Sequence, residues 1–224
     1  MNPGHENGAL VRVWDLPTRL FHWTLVALIV LLYASGEYDL LDMRWHFWAG
    51  YATLALLVFR VLWGFAGSQT SRFAEFLRGP GAVIAYVRAL GSGAAGGVGH
   101  NPLGGWSVIA LLSCLLVQAV SGLFASDDID NEGPLVARVS GYTVKWMTRV
   151  HHWNQSLLLA LIGLHVGAIL VYLLVKHDNL IRPMIGGRRR LANPVALRFA
   201  HPLLAWVVLI ASAAAVAALL WVAG

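Results

Sequence analysis

The sequence predicts an all-α integral membrane protein, a four-helix bundle followed by a fifth, C-terminal transmembrane helix. Three observations carry that reading. The 224 residues are 58% hydrophobic and only 12% charged, whereas an ordinary soluble domain has about a quarter charged residues. The mean hydropathy is +0.66. Apolar runs of spanning length fall at about 20–37, 45–65, 105–125, 150–175 and 200–222. Lipid offers no water to backbone polar groups, so spans must be helices or closed barrels. The alternating ten-residue strands of a barrel are absent.

Each element follows in turn. The first span opens after Arg12 and Arg19. Its end, Ala34-Ser35-Gly36, resembles the small-residue site of a cleaved leader. The polar stretch before it is long and the apolar run exceeds a leader core, so the segment is expected to stay. A short link leads to the second span. About 40 residues then intervene. Within them, residues 69–90 read as one or two amphipathic interfacial pieces broken by Gly79-Pro80-Gly81, and Gly91 to Gly99 as a linker. Asp127 to Gly133 forms an acidic loop after the third span. The basic run Arg188-Arg189-Arg190 precedes the last one. Residues 1–187 thus form the core domain, and 188–224 the basic loop and C-terminal helix. No internal repeat stands out.

The net charge of +5 and a pI near 9.8 could suggest a nucleic-acid partner. The basic residues cluster at span boundaries instead, which excludes that class and names the lipid bilayer as the partner. With the N-terminus cytoplasmic, 12 Lys and Arg lie inside and 4 (Arg44, Arg138, Lys145, Arg149) outside. That imbalance predicts a cytoplasmic N-terminus and, after five spans, a C-terminus on the outer side.

Ionisable side chains in spans are costly and face an interior site by default. Four histidines qualify: His22, His46, His151 and His165. His151 and His165 are 14 residues apart on one predicted helix. That separation closes on one face to within about 40° and spans about 21 Å. His152 lies about 140° off the face of His165 and reads as a decoy. Counting from the charged ends places His46 and His151, each opening its helix, near the outer surface, and His22 and His165 in the cytoplasmic half. Two imidazoles at each depth suit the two axial positions of a haem iron, which then has no open position for oxygen and passes electrons. Zinc would want three or four ligands at one level. Cys114 is the one cysteine, and no C-x-x-C-H attachment site exists. The haems are therefore non-covalent, of b type, and Cys114 reads as packing.

Supporting residues follow from position. Gly50, one turn beyond His46, would let a porphyrin approach, or pack helices. Arg60 and Arg149 suit haem propionates, or headgroups. Lys145 and Arg149 could also draw in an acidic partner. His100-Asn101-Pro102 reads as a helix start, with a propionate or quinone contact as the sharper alternative. No catalytic residue is identified.

Several of these motifs together resemble the bacterial cytochrome b561 family and the related b-type cytochrome subunit of nickel-iron hydrogenases. They are Leu20-Phe21-His22-Trp23, Arg44-Trp45-His46 with Arg60, His100-Asn101-Pro102-Leu103-Gly104, and Ile162-Gly163-Leu164-His165 with Asp178-Asn179 and Met184. The resemblance covers about residues 10–187. It implies a four-helix di-haem bundle, two haem b groups held by His22, His46, His151 and His165, and electron exchange with quinone, ubiquinone being a candidate. The fifth span is absent from the shortest members.

The expected function is electron transfer between the quinone pool and a periplasmic-side donor or acceptor. Open alternatives are a membrane-anchor subunit fed by a hydrogenase, a dehydrogenase or a periplasmic cytochrome c, and a stand-alone superoxide-oxidising cytochrome. The chain is thus either a quinone-linked oxidoreductase or an electron-transfer subunit. A haem or metal transporter, and a purely structural subunit, are rivals of a different class.

Overall fold

The computed structural model describes residues 8–38, 40–90, 98–191, 193 and 195–223. Among the described residues, five helices are long and apolar enough to cross a membrane: α1 (Leu16–Gly36), α2 (Met43–Ala66), α5 (Pro102–Gly122), α6 (Gly141–Leu174) and α8 (Pro202–Ala223). The shorter helices are α3 (Phe73–Phe76), α4 (Pro80–Arg88) and α7 (Ile181–Gly186). Strands β1 (Ala9–Arg12) and β2 (Arg188–Leu191) form one antiparallel pair.

Helix starts follow from capping chemistry. Asp15 precedes α1 and its Oδ1 accepts the Thr18 backbone N–H at 2.8 Å, satisfying one orphan donor. Asp42 does the same for Arg44 at the start of α2 (2.9 Å). Asn101 accepts from Gly104 at 2.7 Å, with Pro102 in the first helical position of α5, where a missing N–H costs nothing. His100-Asn101-Pro102 is thus a helix start. His201 Nδ1 accepts from Leu203 at the head of α8.

Three departures from the sequence reading have physical causes. The fourth span begins at Gly141, not near 150. Tyr142 to Trp146 carry no helix breaker, so the helix continues through residues that hydropathy does not see. Its 34 residues span about 51 Å, well beyond a bilayer core of about 30 Å. His151 is therefore in its third turn rather than at its start. The basic run is a strand, not a loop: Arg188, Arg189 and Arg190 pair with Arg12, Val11 and Leu10. Residues 69–90 hold a 3-10 turn (Gln69–Ser71) and the short helices α3 and α4; Gly79 precedes α4, and Pro80 and Gly81 lie within its first turn. Of the expected Gly-rich linker, residues 91–97 lie outside the described residues.

The chain divides into two compact units. The first comprises Met1–Leu20, Leu62–Ile109 and Leu164–Ala205. Its buried hub is Asp15, which also accepts the Trp63 indole N–H at 3.0 Å. Thr70 donates to the Val13 carbonyl at 2.7 Å. Just before β2, Gly187, with φ of +76°, ends α7 in the left-handed conformation favoured for glycine. Its carbonyl accepts both Val13 and Trp14 N–H groups at 2.8 and 3.1 Å. Arg189 pairs with Asp178 at 2.7 Å, and Asn179 caps α7 through Ile181 and Arg182.

The second unit comprises Phe21–Val61, Ala110–Gly163 and Trp206–Gly224. Leu54, Leu123 and Val216, from α2, the end of α5 and α8, form a buried apolar cluster with Tyr51, Ala119 and Leu220 packed on it. The C-terminus of α8 is met by Arg138, which donates to the Val222 carbonyl at 2.7 Å, a favourable place for a cation.

Candidate metal centre

Within the second unit, α2 and α6 bring two imidazoles close together. The ring centroids of His46 and His151 are 6.4 Å apart, with planes inclined at 70°. Metal–imidazole bonds of about 2.0–2.1 Å, plus about 1 Å from each nitrogen to its ring centre, put two axial rings about 6 Å apart. The observed spacing fits one iron between them.

The outward nitrogens are already committed. His46 Nδ1 lies 3.0 Å from the Leu32 carbonyl oxygen and 3.3 Å from Ser35 Oγ, both on α1. His151 Nδ1 lies 3.0 Å from the Gln118 carbonyl oxygen and 3.2 Å from Ser121 Oγ, both on α5. A carbonyl only accepts, so each Nδ1 carries its ring's proton and donates. Each Nε2 then bears the lone pair that a metal requires. Two acceptor nitrogens cannot hydrogen-bond each other; a cation between them satisfies both.

Two glycines make room for the rings. A Cβ on Gly36 would lie 2.7 Å from His46 Cε1, and one on Gly122 would lie 2.9 Å from His151 Cε1. Real side chains essentially never come so close. Sequence reasoning missed Ser35, Gly36, Ser121 and Gly122. The available signal was the dipeptide Ser-Gly closing both the first and the third apolar run.

Among the described residues no group of three or more His, Cys, Asp or Glu gathers to hold a metal. Two axial imidazoles suit a metal whose other ligands come from a macrocycle, and do not suffice for zinc.

The other sequence candidates are distributed as follows. His22 lies in the second unit and His165 in the first, each half-buried. His152 is exposed, with its ring 6.3 Å from that of His151. Arg60 is 3% exposed, so it is no surface headgroup contact. Arg149 is exposed and, with Trp146, Trp153 and Leu157, lines a hollow of about 480 Å³. A Cβ on Gly50 would meet nothing within 4 Å, which leaves open space there and places no helix backbone against it. Cys114 is buried and bonded to Asn154, Sγ to Oδ1 3.1 Å. Asn154 donates in turn to the Cys114 carbonyl and to Gln118 Oε1, at 2.9 and 2.7 Å.

In the first unit, His100 sits between the rings of Trp14 and Phe76, centroids 4.8 and 4.6 Å away. Asn101 donates to the Tyr172 hydroxyl at 3.0 Å, and that hydroxyl meets Tyr86.

The family model described as prokaryotic cytochrome b561 matches residues 13–187. No curated protein matches the chain.

Proposed function

The chain belongs to the prokaryotic cytochrome b561 family, and from that premise we propose a di-haem electron carrier linking the quinone pool to a partner at the periplasmic face. The family makes it a multi-pass membrane b-type cytochrome of electron transfer. The observation that supports the finer reading is the His46–His151 pair, 6.4 Å between centroids, each ring anchored through Nδ1.

In this reading His46 and His151 hold the haem near the periplasmic surface, and His22 and His165 hold a second one in the cytoplasmic half. The bound haem supplies a one-electron couple. His46 and His151 would hold the haem through Nε2, apolar spans would exclude water, and two imidazoles on the iron would leave no place for a further ligand. Arg60 and Arg149 are proposed to meet propionates, and Gly50 to leave space for the porphyrin edge. The ligands His151 and His165, 14 residues apart on α6, are separated by about 21 Å of helix rise. Residues 1–187 form the cytochrome core, and α8 is an addition to it. The arginine-rich ends set the N-terminus in the cytoplasm and the C-terminus in the periplasm. Lys145 and Arg149 face an acidic periplasmic partner.

The test is spectroscopic. Purified protein should show a reduced b-type spectrum and two low-spin haems per chain. Alanine at His46 or His151 should remove one haem, and alanine at His22 or His165 the other. Loss of the same haem from His22→Ala and His46→Ala would break the pairing.

A further inference from the structure

We infer that Ser35-Gly36 and Ser121-Gly122 are two copies of one imidazole seat, and that they are positioning residues for the pair His46–His151. The inference rests on the di-haem reading above and deepens it. The two seats have the same composition at the same offsets. In each, a carbonyl stands four residues before the glycine (Leu32 and Gln118) and a serine one residue before it. Residues so spaced share one helix face.

The distances repeat as well. Nδ1 to carbonyl oxygen is 3.0 Å in both. Nδ1 to serine oxygen is 3.3 and 3.2 Å. The missing Cβ would stand 2.7 and 2.9 Å from Cε1. Ligands on α2 and α6, at unrelated sequence separations from their seats, meet the same local arrangement twice.

Each part has its own task. The carbonyl accepts the imidazole Nδ1–H and so fixes which ring nitrogen carries the proton. The glycine uncovers that carbonyl, because any side chain four residues on would stand over it. The serine spends its own proton inside its helix, Ser35 Oγ on the carbonyls of Leu31 and Leu32 at 2.8 and 3.2 Å and Ser121 Oγ on that of Gln118 at 3.1 Å. Its lone pair is then turned toward Nδ1–H. Together they fix the tautomer and the ring angle and add electron density to the metal-facing nitrogen, as hydrogen-bond partners of metal-bound histidines do. The seats would set both occupancy and potential of this one haem.

The test uses the full-length protein in detergent, with haem content by pyridine haemochrome and a potentiometric titration of both haems. Gly36→Ala and Gly122→Ala should each drop the content from two haems to one, losing the haem that His46→Ala loses. Ser35→Ala and Ser121→Ala should keep both haems and change the redox equilibrium constant of that haem about fivefold, or about 40 mV at 59 mV per decade, leaving the other wave in place. Gly81→Ala, where a Cβ meets nothing within 4 Å, controls for handling. Should the glycine variants not accumulate, the serine titrations decide alone. Two haems at unshifted potentials in the seat variants, or equal shifts of both waves, would overturn the seats. A wild type holding fewer than two haems would instead overturn the reading beneath them.

Discussion

The imidazole planes of His46 and His151 are inclined at 70° to each other. Each ring's orientation is fixed from outside the pair, one by α1 and the other by α5. Axial rings near perpendicular act on two different iron d orbitals, which keeps those orbitals close in energy. A ferric haem held by these histidines, as proposed, should therefore give a strongly anisotropic low-spin electron paramagnetic resonance signal with one large g value. A rhombic signal typical of parallel rings, assigned to this haem by its loss in His151→Ala, would contradict the geometry.

His152 adjoins a proposed ligand in sequence but is exposed and points elsewhere on the helix. His152→Ala should retain both haems with unchanged α-band positions, whereas His151→Ala should not. Visible spectra of the two variants, prepared side by side, check this.

Asp127 organises the loop after α5. Its Oδ1 accepts the backbone N–H groups of Ile129, Asp130 and Asn131 at 3.0, 3.1 and 3.0 Å, and its Oδ2 the Asn131 amide at 2.7 Å. These donors, the Asn131 side chain first, hold its pKa down, at about 2 against 3.8. The sign follows from the charged form being the bonded one. The loop's contribution is complete above about 3.8 and is lost as pH falls through about 2. Amide chemical shifts of Ile129 to Asn131 should include a transition near pH 2. Asp127→Ala should abolish that transition.

Gly187 holds φ at +76°, and a Cβ there would stand 2.9 Å from the Trp14 carbonyl oxygen. Conformation and space both oppose a side chain. Gly187→Ala should destabilise the first unit by about 1–3 kcal/mol, read as a lower midpoint in thermal unfolding. The haem held by His46 and His151 should keep its spectrum, since those residues belong to the second unit.

The spans were legible because apolar length and composition report directly on lipid. The second span, expected at 45–65, is Met43–Ala66, and Asn101-Pro102 announces a helix through capping chemistry alone. Counting from charged ends put His46 and His151 at one level, and the structure brings their rings together. The early start of α6 was hidden because Tyr142, Lys145 and Trp146 are neither apolar enough for a span nor helix-breaking. The β1–β2 ribbon was hidden by its length of four residues a side, too short for a pattern. The seats were hidden for a deeper reason. Their main acceptor is a backbone carbonyl, which every residue possesses, and Ser-Gly at the end of an apolar run also looks like a peptidase site or a turn.

Each anchored imidazole belongs to the same hairpin as its anchor: His46 with α1–α2, His151 with α5–α6. Order of synthesis then matters. The leading hairpin can leave the ribosome and insert with its nitrogen already aimed, some hundred residues before the trailing one exists. Under the proposed ligation, a haem that arrives late would join two hairpins whose imidazoles are already held, rather than gather four separate helices at once.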